Sequence, residues 1–185
     1  EAHKMIVLAR ALGLKVMLKP HVDVEDGTWR AQIEPVSPDR WFESYAAFMD
    51  HYLAIAVEKK VEMLCIGTEL ASMSGSRYAG QWASLIARIR SRYPGLLTYA
   101  ANGVDAADEF TSVSFWGQVD LIGADVYTPL TDKTNPTRQE LVAGWRRDLR
   151  KEPPPVKGVT LARPAQVVSP GPVPVLLSCG AGTLG

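Results

Sequence analysis

Apolar residues recur at two spacings along the first 150 residues, and the alternation between those spacings marks out the elements. At 3–12, Met5, Leu8, Ala9 and Leu12 fall at helical spacing, and Gly13 supplies a C-terminal stop. Residues 15–19 then read as a short strand that delivers Pro20, His21, Val22 and Asp23 into a loop continuing through Gly27, Trp29 and Arg30. Ser37, Pro38 and Asp39 have the form of an N-cap, a first-turn proline and a first-turn acid. They open a long helix whose stripe runs through Trp41, Tyr45, Phe48, Tyr52 and Ile55, spacing that suits packing on a sheet.

The run at 61–70 is too short for a typical helix. It suits a strand buried on both faces and ends in Glu69. A second helical stripe, Trp82, Leu85, Ile86, Ile89 and Tyr93, is stopped by Pro94 and Gly95. Residues 96–101 form the next strand, ending at Asn102, and 105–118 predicts a short helix carrying Phe115 and Trp116. A further strand at 120–127 ends in Asp125 and Tyr127, and Thr137 with Glu140 fits a capping box opening one more helix.

Strands alternating with helices imply crossover connections and a parallel sheet. Each strand carries its polar groups just past its C-terminal end: His21 and Asp23, Glu69, Asn102, then Asp125 and Tyr127. That repeated placement favours a barrel, whose site is assembled from many strand ends, over an open sheet with one switch point.

Composition narrows the function. With 46% hydrophobic and 22% charged residues and a formal net charge of +0, the chain has the make-up of a globular domain. It shows neither the basic excess of a nucleic-acid binder nor a polybasic membrane patch. Cys65 and Cys179 set no disulfide framework. The chain opens without an initiator Met and runs directly into a helical pattern, so the expectation is a start inside a domain, and localisation stays open.

Carboxylates, an amide, an imidazole and a phenol with indoles nearby suit a carbohydrate. Glycoside cleavage needs one carboxylic acid to protonate the leaving oxygen and a second carboxylate as nucleophile or base. Glu69 suits the acid role, since burial among apolar strands disfavours the charged carboxylate. Two other readings are open. His21 and Asp23, two residues apart on one face, with Glu69 or Asp125, would suit a metal-dependent barrel hydrolase. A barrel relic that binds carbohydrate without cleaving it is the non-enzymatic alternative.

The segments Lys19-Pro20-His21-Val22-Asp23, Asp26-Gly27-Thr28-Trp29-Arg30, Ile66-Gly67-Thr68-Glu69-Leu70, Thr98-Tyr99-Ala100-Ala101-Asn102 and the run from Asp120 to Tyr127 resemble glycoside hydrolase family 113 over about residues 1–150. The resemblance implies a β-mannanase with a (β/α)₈ barrel of the retaining type, of which these would be strands three to six. It implies that Glu69 is the general acid/base, and that Tyr127 hydrogen-bonds the nucleophile. It also implies that His21, Trp29, Asn102, Trp116 and Asp125 line the sugar subsites, with no cofactor and a β-linked oligo- or polysaccharide as the partner. Gly103 stands where a bulky aromatic is commoner in the family.

From Lys151 the pattern stops. Seven of the 13 prolines fall there, and residues 151–185 read as an irregular Pro/Gly-rich tail, disordered or the product of a frameshift. Within it, Pro174-Val175-Leu176-Leu177-Ser178-Cys179 echoes the family's seventh strand, with Cys179 where the nucleophilic glutamate is expected. No glutamate follows Glu152 in the sequence. The expectation is a hydrolase fragment without an evident nucleophile.

Overall fold

The computed structural model describes residues 1–103, 107–125, 129–148 and 175–183. Its helices are α1 (Ala2–Ala11), α2 (Pro38–Glu58), α3 (Ala71–Ser74), α4 (Ala79–Arg90), α5 (Ala107–Ser112) and α6 (Arg138–Asp148). Its strands are β1 (Val16–Asp23), β2 (Met63–Thr68), β3 (Leu96–Asn102), β4 (Leu121–Asp125) and β5 (Val175–Thr183). All five strands join one parallel sheet in the order β4-β3-β2-β1-β5. From β1 to β4 each strand lies beside its successor with helical structure in between, and the fold is a partial α/β barrel.

The sheet has two chemically distinct faces because successive strand residues point to opposite sides. Val16, Leu18 and Val22, Leu64 and Ile66, and Leu97, Tyr99 and Ala101 are buried in the core that α2 and α4 cover. Tyr45 of α2 donates to the Ile66 carbonyl at 2.8 Å, and Trp82 of α4 donates to the Met73 carbonyl at 2.7 Å, so these large rings are buried with their polar atoms satisfied. Trp82 stacks on Phe115 with ring centroids 4.3 Å apart. The opposite, inner face carries Lys19, Cys65, Thr68, Asn102 and Asp125.

Lys19 is buried, and its Nζ lies 2.7 Å from both carboxylate oxygens of Asp125. On a flat sheet β1 and β4 would stand about 14 Å apart, three strand spacings of about 4.8 Å, with side chains rising in parallel. The direct contact therefore records the curl of the sheet towards its inner face. In β2 the register against β3 shifts: Cys65 pairs with Thr98 but Thr68 pairs with Ala100, three residues against two. This bulge returns Thr68 to the inner face after two consecutive residues, Ile66 and Gly67, on the core side. A Cβ on Gly67 would stand 2.8 Å from the Tyr99 ring, so close packing requires glycine there.

Several sequence expectations are corrected. The strand read at 15–19 continues to Asp23, so His21 and Asp23 lie in β1 rather than in a loop. Pro20 suggested an end because it lacks a donor, but a register shift against β5 between Pro20 and Val22 accommodates it. In α1, Ile6 and Ala9 face the core while Met5, Leu8 and Leu12 are exposed, since periodicity does not decide which apolar face packs. Ser37 stands at the N-cap of α2 but its side chain makes no cap hydrogen bond. The Thr137 capping box is formed, with Glu140 N donating to Thr137 Oγ1 at 3.3 Å and Thr137 N donating to Glu140 Oε2 at 2.9 Å.

The largest correction concerns β5. The segment read as an echo of the seventh strand does form a strand, but it pairs with β1 and not with β4, and it runs on through Ala181 to Thr183, where composition predicted no structure. It occupies the edge that a second barrel strand would take. An uncovered parallel edge exposes a row of unpaired amides and carbonyls, and β5 pairs those of β1.

Candidate active site

The site is built at the C-terminal ends of the strands. Glu69 is the first residue past β2, 7% exposed, with φ of 51°. A left-handed backbone is costly for a residue with a Cβ, and such conformations cluster where a side chain must be aimed. Glu69 N donates to the Ala100 carbonyl at 2.8 Å, which ties this turn to the adjacent strand.

The loop after β1 delivers two partners to Glu69. Asp26 Oδ1 accepts from Thr28 N at 2.8 Å, and Gly27, at φ of 82°, accepts the turn conformation at no steric cost. The chain then presents Trp29 Nε1 to Glu69 Oε2 at 3.4 Å and places Arg30 Nη1 at 3.5 Å from the same oxygen. Arg30 is itself fixed, donating through Nε to the Val22 carbonyl at 2.8 Å and pairing through Nη2 with Asp23. Trp29 is 49% exposed, so one edge of its indole meets the carboxylate while much of the ring meets solvent.

His21 lies on β1, and its Nε2 is buried without a hydrogen-bond partner among the described residues, as is Thr68 Oγ1. Burial lowers the His21 pKa from its ordinary 6.5, and the cations of Lys19 and Arg30 lower it further against the opposing pull of Asp125 and Asp23. The ring is thereby biased towards its neutral form, with one nitrogen a donor and the other an acceptor.

Asn102 and Asp125 are register partners across β3 and β4. Both are engaged, Asp125 by Lys19 and Asn102 by Glu109, whose Oε2 accepts from Asn102 N at 2.6 Å and from Asn102 Nδ2 at 2.7 Å. Burial raises the pKa of the Glu109 carboxyl above its ordinary 4.5, opposed by the hydrogen bonds from Asn102, Tyr99 and Ser74.

The structure therefore brings Glu69 and Trp29 into contact, sets Asn102 beside Asp125, and puts His21 on the strand whose end lies next to them. Trp116 is elsewhere: it is 3% exposed, packs on Tyr99 and Phe110, and donates from Nε1 to the Phe110 carbonyl at 2.8 Å. The resemblance sets Trp116 among the sugar-binding residues; in the structure it is a buried residue whose indole N–H is satisfied by the protein. Tyr127 lies outside the described residues. For the metal reading, Asp23 turns to Arg30 and Asp125 to Lys19, and no group of three or more His, Cys, Asp or Glu is gathered among the described residues.

Sequence reasoning missed Lys19, Arg30 and Glu109 as parts of the site. Lys19 was detectable: a lysine inside the apolar run Val16-Met17-Leu18 has to find a counter-charge if the strand is buried. Arg30 was detectable as the neighbour of Trp29 in the Asp26–Arg30 motif, whereas nothing around Glu109 distinguishes it from a solvated charge.

A curled parallel sheet with an aimed, buried carboxylate at one strand end and polar groups at the ends beside it defines a barrel-type site, here in a partial α/β barrel. The chain belongs to glycoside hydrolase family 113, whose model matches residues 1–152. Among solved structures it is similar to a GH113 β-mannanase from Alicyclobacillus acidocaldarius in complex with ManMIm, with 39% identity and a TM-score of 0.63 over 70% of this chain and 42% of that one. It is also similar to a GH113 β-1,4-mannanase, solved as a complex and in a second structure, each with 35% identity and a TM-score of 0.61 over 71% of this chain and 43% of that one. No curated protein matches the chain. The chain thus spans about two fifths of the length of these solved relatives.

Proposed function

We propose that this chain carries the proton-transferring half of a retaining β-mannanase site and binds a β-1,4-linked manno-oligosaccharide at the strand ends of β1 to β4. The observation that supports the reading best is Glu69, a buried carboxylate on a left-handed backbone, approached by the half-exposed indole of Trp29. In a retaining reaction one carboxyl group protonates the departing glycosidic oxygen and then, as carboxylate, takes a proton from the incoming water. Glu69 fills that role. The Trp29 ring offers an apolar surface to a sugar face, and the buried His21 Nε2 and Thr68 Oγ1, without a partner among the described residues, are groups that sugar hydroxyls can satisfy. Asn102 and Asp125 contribute to the same wall.

The second carboxylate of a retaining pair stands about 5 Å from the first. Asp23 and Asp125 are each held by a cation, and the sequence has Cys179 where the family's pattern places a glutamate. This observation favours a second reading, a chain that binds manno-oligosaccharide without cleaving it. In both readings residues 1–150 form the barrel unit, and β5 adds a strand to its sheet beside β1.

The test is reducing-sugar release from β-mannan by the purified chain beside Glu69→Gln, with mannopentaose affinity measured on both. Turnover abolished by Glu69→Gln with affinity retained supports the catalytic reading. Binding without turnover supports the second. Absence of both sinks the assignment of this chain to mannan.

A further inference from the structure

Glu109 is a carboxylate that neither the proton transfer nor the sugar wall uses. It is only 3% exposed and sits on α5, a short helix that packs on β3. Holding a charge there costs several kcal/mol unless the carboxylate is paired or fully hydrogen-bonded. Its partners lie on β3 and α3. Oε2 takes both the backbone N–H and the side-chain amide of Asn102, at 2.6 and 2.7 Å. Oε1 takes the Tyr99 hydroxyl at 2.5 Å and the Ser74 hydroxyl at 3.3 Å. Tyr99 Oη in turn accepts from Leu70 N at 2.8 Å, and Leu70 directly follows Glu69.

From this geometry we infer that Glu109 is a positioning residue for the site, fixing the Asn102 amide directly and the Glu69 turn through Tyr99. The inference rests on the mannan reading above for the identity of the ligand only.

The orientation of Asn102 follows from elementary electrostatics. An amide oxygen facing a carboxylate is repelled, so the NH₂ must face Glu109, and Oδ1 is left on the side away from it. Asn102 is thereby set to offer its Oδ1 as an acceptor to a ligand hydroxyl group. Tyr99 has one hydroxyl proton. Because Leu70 N donates to its oxygen, that proton is free to go to Glu109, and the chain Leu70 N to Tyr99 Oη to Glu109 Oε1 has one direction. Burial and the adjacent Glu109 charge both raise the Tyr99 pKa, which keeps the proton on the phenol and the relay intact.

The experiment uses the full chain, ¹⁵N-labelled, as wild type, Glu109→Gln, Asn102→Ala and the double variant, with amide hydrogen exchange and mannopentaose affinity as readouts. Gln matches the shape of Glu109 but cannot accept from both Asn102 and Tyr99. Glu109→Gln is expected to keep a cooperative unfolding transition, to raise exchange at Leu70 and Asn102 by tenfold or more, and to weaken mannopentaose about tenfold. In the Asn102→Ala background the same substitution is expected to weaken binding by much less, since the amide it positions is gone. Unchanged exchange at Leu70 and Asn102 overturns the inference, as does an equal loss of affinity in both backgrounds. If the wild type fails to bind mannopentaose but exchange rises at those two amides, the positioning role stands and the mannan reading falls. Should Glu109→Gln not fold, Glu109→Asp keeps the charge but withdraws it by one methylene. The same two amides are then the ones expected to exchange faster, and no change at them overturns the inference.

Discussion

The pair of Lys19 and Asp125 gives the sharpest stability test, because it joins strands that are not neighbours in the sheet. The Lys19 side chain is 4% exposed and that of Asp125 18% exposed, and the ammonium meets both carboxylate oxygens at 2.7 Å. Removing one member of a buried pair leaves an uncompensated charge, at about 3–5 kcal/mol. Asp125→Asn strands the more buried partner and should cost about 3 kcal/mol. Lys19→Met strands a carboxylate that water partly reaches, so about 2 kcal/mol is expected. The double variant leaves no buried charge and should cost about 2 kcal/mol, which makes the coupling about 3 kcal/mol. Urea unfolding at neutral pH, followed by tryptophan fluorescence and far-UV circular dichroism, supplies the cycle. Repeating it at about 1 M salt should change the coupling little, since a buried pair is weakly screened. Losses that add to within about 0.5 kcal/mol would refute the claim that this pair holds β4 to β1 across the inner face.

Two further outcomes follow from backbone and titration. Glu69→Gly should be about 1 kcal/mol more stable than Glu69→Ala, because only the alanine retains a Cβ on a left-handed backbone, and equal stabilities in thermal melts would count against strain at that turn. The lowered pKa of His21 means that below its ordinary 6.5 the unfolded chain takes up a proton that the folded chain resists, so this residue makes stability fall as pH drops through that range. His21→Gln should flatten the fall between about pH 7 and pH 5.5, and an unchanged slope in denaturant titrations would rule the contribution out.

The alternation of strands and helices was legible because buried strands and amphipathic helices leave different periodicities, and Glu69, Asn102 and Asp125 each fall within a residue of a strand end as expected. What periodicity could not reveal is partnership. Whether an apolar strand such as β5 pairs with β1 or β4 depends on which edge is free, and that is a property of the assembled sheet. Trp116 shows the same limit: its packing against Tyr99, Phe110 and Phe115 is set by the assembled fold and leaves no mark on the local sequence. Glu109 was invisible because its partners, Tyr99 and Asn102, lie on the neighbouring strand rather than on its own short helix.

The bulge in β2 marks the point between Cys65 and Thr68 where the strand already carries one residue more than its partner. Three steps of β2 lie against two of β3 there, so deleting a single residue would straighten the strand and leave Thr68 on the inner face opposite Ala100. Directed evolution of this stretch should therefore accept loss of one residue between Cys65 and Thr68 more readily than gain of one, because the loss restores regular pairing with β3 while the gain enlarges the bulge.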